Sequence, residues 1–139
     1  MDVLITLTGV QHVGGDTDKV ELKTDGTFTA ADDRYTLAYD ESAATGMAGT
    51  HTMLRIEKDK VSLERTGASA GLLVMEHGKR HLCNYGTPYG SLMLGVFTDT
   101  LHRRLTQNGG TLDVSYTLDA DGSMLSKQEL HITVTPKTD

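Results

Sequence analysis

The segment MEHGKRHLCNYGTPYG, running from Met75 to Gly90, places His77, His81, the chain's single cysteine, Cys83, a Lys79-Arg80 pair and two tyrosines within sixteen residues. Those residue types could hold a metal or activate a nucleophile. Two histidines four apart share one face of a helix and could ligate zinc together. The surrounding pattern is that of a hairpin instead, with Gly78-Lys79 as a two-residue turn and glycine first, as a type II′ turn requires. That turn sets His77 opposite Arg80 and Glu76 opposite His81, so the two imidazoles point to opposite faces. We therefore expect no shared metal, only a Glu76–His81 cross-strand pair near a solvated tip.

Cys83 fails a similar test. A reactive thiol needs a lowered pKa and a base, usually in a partly exposed electropositive setting. A lone cysteine inside a strand reads more simply as a small packing residue. It also excludes an intrachain disulfide and suits a reducing compartment.

The elements that must position these residues are strands. Alternation of apolar and polar residues runs through nearly every segment, and turn signals recur at short intervals. An Asp32-Asp33 tip pairs Phe28 with Leu37 and Ala30 with Tyr35. A Lys58-Asp59 tip pairs Ile56 with Val61 and Leu54 with Leu63, leaving Glu57 and Lys60 to face each other outside. In ELKTDGTF, a three-residue loop Thr24-Asp25-Gly26 with Gly26 left-handed would pair Leu22 with Phe28. In YTLDADGSML, Gly122 as a left-handed residue would pair Leu118 with Met124, and further along Leu112 with Leu130. Within SLMLGVFTDTLHRRL the apolar face changes parity between Val96 and Leu101, which demands a bulge or helical turn near Asp99.

This pattern predicts an all-β fold, a single antiparallel meander of roughly eight to ten strands closed on itself to remove its edges. The expected shape is a lipocalin-like barrel; a two-sheet sandwich is the alternative. No repeat, linker or low-complexity segment divides the chain, so residues 1–139 are read as one domain. A domain of this length buries roughly 70% of its unfolded surface and needs no staple.

The inward face so derived is not purely apolar. Beside Leu22, Phe28, Leu37, Leu54, Val61 and Leu63 it carries Tyr35, Tyr39, Glu41, Thr52 and Arg65, and later Tyr116 and Gln128. Buried polar groups need partners, so such a lining must bond internally, hold water or take a ligand. Glu41 and Arg65 sit two strands apart, about 10 Å between backbones, within reach of an internal ion pair. Tyr35, Tyr39, Glu41, Thr52, Arg65, Tyr116 and Gln128 are accordingly the candidate ligand-binding residues.

Composition narrows the partners. The formal charge is -6 with acidic residues spread along the chain, so no basic stripe is present to neutralise a phosphate backbone. The opening MDVLITLTGV has neither the basic region of a signal peptide nor a continuous apolar run. Neither nucleic acid nor a membrane is expected as a partner, no cofactor motif is present, and an oligomer is possible without being predicted.

The opening ITLTGVQ, then ELKTDGTF, the Tyr-x-Leu-x-Tyr strand from Tyr35 to Tyr39, the TPYGSLMLGVFT block and the closing HITV follow one another in an order and spacing that cover nearly the whole chain. In these the sequence resembles the YwiB-like family of small bacterial proteins, a family of unknown function with a calycin-like, lipocalin-like β-barrel. The resemblance implies the same barrel and a bacterial cytoplasmic setting; it implies no catalytic or binding residue. The functional expectation is a non-enzymatic barrel that binds a small ligand inside. The alternative is a structural or protein-interaction module whose barrel is filled by its own side chains. An enzyme has the least support, because no nucleophile, base and orienting group can be aligned.

Overall fold

Period-two patterning leaves one consistent set of faces, and in the computed structural model it becomes ten strands. The structure describes residues 1–43, 48–68, 70–87 and 90–137. The strands are β1 (Asp2–Val13), β2 (Asp16–Ala31), β3 (Arg34–Asp40), β4 (Thr50–Ile56), β5 (Lys60–Gly67), β6 (Gly71–Glu76), β7 (Arg80–Thr87), β8 (Gly90–Thr106), β9 (Gly109–Ala120) and β10 (Ser123–Pro136). Their order in the sheet is β6-β5-β4-β3-β2-β1-β10-β9-β8-β7. Every ladder is antiparallel, and β1 pairs with β10, so the meander curls into a nearly closed barrel.

Only the seam between β6 and β7 lacks a ladder. It is bridged instead by the Val74 N–H donating to Cys83 Sγ at 3.3 Å, and the turn joining the two strands is tied to β8 by Gly78 N–H donating to the Thr98 carbonyl at 2.9 Å. The turn between these strands differs from the expected one. Lys79 N–H donates to the Glu76 carbonyl and Gly78 is left-handed, so His77 and Gly78 occupy the turn's centre. His77 is bridged to Thr98 rather than paired with Arg80. The Glu76–His81 contact survives, at 2.8 Å.

Several hairpins follow the sequence reading. Asp32 and Asp33 both take positive φ and set Phe28 against Leu37 and Ala30 against Tyr35, as two-residue turns of this hand do. Ile56 faces Val61 and Leu54 faces Leu63, and Lys60 reaches Glu57 at 3.6 Å. The parity change in β8 is a bulge between Thr98 and Thr100.

Two registers are corrected. Gly26 is not a turn: β2 runs straight through it, pairing Gly26 with Val3 on one side and Tyr39 on the other. An Asp-Gly pair is a turn signal only where no neighbouring strand claims its backbone, and here two do. The hairpin that precedes it turns at Gly14. At the other end, Gly122 is left-handed as expected, with φ 86°, but Ala120 pairs with Ser123 and a bulge follows between Met124 and Ser126. Leu118 therefore faces Ser126 and Leu112 faces Ile132. The bulge moves the register and leaves the inward parity intact.

The core fills most of the barrel, with Val3, Ile5, Leu37, Leu54, Val61 and Met75 among the fully buried side chains. One end is plugged by aromatic packing. Tyr35 stacks on Phe28 with ring centroids 5.6 Å apart, and its hydroxyl donates to the Leu105 carbonyl at 3.0 Å. Arg103 lies over the Tyr35 ring and bonds Asp33 at 2.9 Å. Among the described residues no helix is long and apolar enough to cross a membrane.

Candidate interior ligand site

Away from that plug the inner face turns polar, and the barrel holds a cavity of about 200 Å³ that is partly open to solvent. One wall comes from neighbouring strands whose registers align three residues in a row: Tyr39 on β3 faces Thr52 on β4, which faces Arg65 on β5. The opposite wall carries Tyr85 from β7 and Tyr116 from β9, with Leu118 and Leu130 beside them. Gly9 on β1 continues the inward parity of Val3, Ile5 and Leu7, yet a Cβ built there would meet nothing within 4 Å. A glycine in a strand interior gives up packing and marks a place where something approaches the backbone closely. Here that place is the cavity.

The polar groups divide into a satisfied set and an unsatisfied one. Glu41 is buried and accepts from Thr52 Oγ1 at 2.9 Å, while its backbone N–H donates to the Thr50 carbonyl at 2.8 Å. The Tyr39 hydroxyl bonds the same carboxyl group, and burial first, then Glu41, pushes the phenol far above its ordinary range. The group stays neutral. Burial also pushes Tyr116 up to about 12, with Tyr85 nearby adding to the effect and Arg65 opposing it. Gln128 donates to Ser126 Oγ at 3.0 Å.

Arg65 stands apart from these. Its Nε is shielded from solvent and has no hydrogen-bond partner. Glu41 and Arg65, expected to form an ion pair, both line the cavity; the contacts seen at the Glu41 carboxyl run to Thr52 and Tyr39, and Arg65 Nε is left without a partner. The nearer hydroxyls of Thr52 and Tyr39 occupy the Glu41 side chain and hold it on its own strand edge.

Of the seven residues singled out in the sequence, Tyr39, Glu41, Arg65, Tyr116 and Gln128 line this cavity. Thr52 is buried behind it as the donor to Glu41. Tyr35 lies at the plugged end, away from it. Sequence reasoning missed Tyr85 and Gly9. Both carried a signal: Tyr85 shares its parity with Cys83, and Gly9 interrupts an apolar face at its third step. Replacing Thr52 by valine keeps the shape and removes the donor to Glu41, so urea denaturation should show a loss of about 1 kcal/mol.

The opening histidine-cysteine segment contributes little chemistry. His81 and Lys79 hold the Glu76 carboxyl below its usual range, in a pair at the barrel surface. Cys83 is buried, and burial pushes its thiol up, the opposite of what a nucleophile needs.

A barrel of ten antiparallel strands with a mixed polar and apolar cavity places the chain among β-barrel proteins. The chain belongs to the family described as a domain of unknown function (DUF1934), whose model matches residues 5–132. The crystal structure of ywiB protein from Bacillus subtilis is similar to it, with a TM-score of 0.86 at 18% identity, covering 99% of this chain and 92% of that one. At that identity the likeness is one of fold. No curated protein matches the chain.

Proposed function

We propose that the protein is a non-enzymatic, cytoplasmic barrel that holds a small molecule in its interior. The observation that carries this reading is the cavity itself, about 200 Å³ lined by leucines together with Arg65 and tyrosines. Ligand sites combine apolar lining with a few convergent polar groups in this way. A barrel serving only as a scaffold gains by filling such a space, since each void in a core costs stability. The space at Gly9 is unfilled although a side chain there would meet no neighbour.

The test combines native mass spectrometry with a cavity-filling variant. Protein purified from its own host is expected to carry a non-covalent adduct that is released on unfolding. Gly9→Leu should fold with unchanged or higher stability, because its side chain enters empty space and glycine is a weak strand former, and should emerge without the adduct. Wild-type protein free of any adduct, together with a Gly9→Leu variant that fails to fold, would favour a barrel whose function lies on its surface.

A further inference from the structure

We infer that the ligand is a small organic monocarboxylate, its carboxylate held by the guanidinium fork of Arg65 and its apolar body laid against the leucines of the opposite wall. The inference rests on the ligand-binding reading above and names the chemistry of the same site.

Three observations carry it. The first is the orphan donor. A buried N–H left without a partner is costly and rare in folded proteins, and Arg65 Nε is one of only two buried side-chain polar atoms without a partner among the described residues. Nε and its neighbouring Nη present parallel N–H groups whose spacing matches the two oxygens of a carboxylate. The second is the company Arg65 keeps. Tyr85 and Arg65 both lie near enough to Tyr116 to act on its hydroxyl, and all three line the cavity. A neutral phenol donates a hydrogen bond to an oxyanion, whereas Glu41 already accepts from Thr52 and Tyr39. The donors facing the cavity are thus Arg65 on one wall and the phenols on the other, whereas the hydroxyls that Glu41 accepts from come from β3 and β4.

The third is charge and size. Glu41, Asp18 and Glu129 also line the cavity, so a second negative charge on the ligand would meet carboxylates; this disfavours dicarboxylates and phosphate dianions. Leu7, Leu63, Leu118 and Leu130 also line it and offer apolar surface to a ring or a branched chain. An apolar cavity of about 150 Å³ admits benzene, so the space of about 200 Å³ at this partly open site is sufficient for a benzoate-sized acid.

The experiment is a calorimetric titration of the full chain, dialysed free of small molecules, with benzoate, 3-methylbutanoate, the neutral isostere benzamide and inorganic phosphate. Benzoate and 3-methylbutanoate should bind, and benzamide should bind roughly 10- to 100-fold more weakly, as loss of a charge-assisted hydrogen bond implies. Arg65→Met should erase the difference between benzoate and benzamide, while Arg65→Lys, which keeps the charge but not the fork, should retain part of it. Tyr116→Phe should weaken benzoate and leave benzamide unchanged. Equal binding of benzoate and benzamide to the wild type would overturn the carboxylate and leave ligand binding standing; phosphate binding in place of both acids would do the same. If no probe binds, the adduct seen by native mass spectrometry decides: a carboxylate in its fragmentation supports the inference, and an adduct without one overturns it. No probe binding and no adduct would overturn both readings together.

Discussion

Gly26→Ala is expected to lower stability by about 3 kcal/mol, the upper end of the cost of overpacking a core, while Gly122→Ala should cost only about 1 kcal/mol. The two glycines look alike in sequence, each following an aspartate between apolar runs. Their structural reasons differ. Gly122 is left-handed at φ 86°, and a Cβ there would meet nothing within 4 Å, so alanine suffers only backbone strain. Gly26 is ordinary extended backbone in the middle of β2. A Cβ at that position would collide with Ile5 Cδ1 and approach the Ala38 carbonyl oxygen to 2.5 Å. Ile5 is fully buried and cannot swing away, and the carbonyl belongs to the neighbouring strand. One of the two strands must move. Urea denaturation at unchanged m-value measures both losses; equal losses would mean that Gly26 is a turn after all and that β2 is broken there.

The same comparison locates what the sequence could reveal. Side-chain parity has a period of two, so every hairpin that kept its parity delivered the right face, even where its register moved. Leu118 and Leu112 point inward although each pairs two residues away from its expected partner. Turn chemistry is read from two or three residues and is overruled when a neighbouring strand pairs with the same backbone. That happened at Gly26, which pairs on both sides. Parity also says nothing about depth along the barrel, which depends on strand stagger. Tyr35 and Tyr39 are four residues apart on one face, yet one belongs to the plug and the other to the cavity. For Glu41, chain reach alone does not choose the partner: competing donors do, and Thr52 and Tyr39, paired with each other on β4 and β3, both reach its carboxyl. The inward polar character was legible, and the division of that set into a hydrogen-bonded carboxyl and a guanidinium with an unpartnered Nε was not.

Raising the pH above 10 should destabilise the barrel steeply through its buried tyrosines. In an unfolded chain tyrosine loses its proton near pH 10. In the barrel Tyr116 keeps its proton until about 12, and Tyr39 is pushed up further by burial and by the Glu41 side chain bonded to its hydroxyl. Above pH 10 the native state therefore binds more protons than the unfolded state, and stability falls as pH rises. The contribution of each group is fully present below pH 10 and is lost progressively up to its folded pKa. Each group contributes a slope of about 1.4 kcal/mol per pH unit, so the two together give roughly 3 kcal/mol per unit between about pH 10 and 12. Tyr116→Phe and Tyr39→Phe should each remove about half of that slope. They should differ at neutral pH, where Tyr39→Phe also deprives Glu41 of a donor and costs about 1 kcal/mol. Stability measured against pH for the three proteins decides the matter: parallel curves would mean that neither hydroxyl is shielded from solvent. Such a result would also weaken the ligand site, because Tyr116 can donate to an oxyanion beside Arg65 only while burial keeps it neutral and dry.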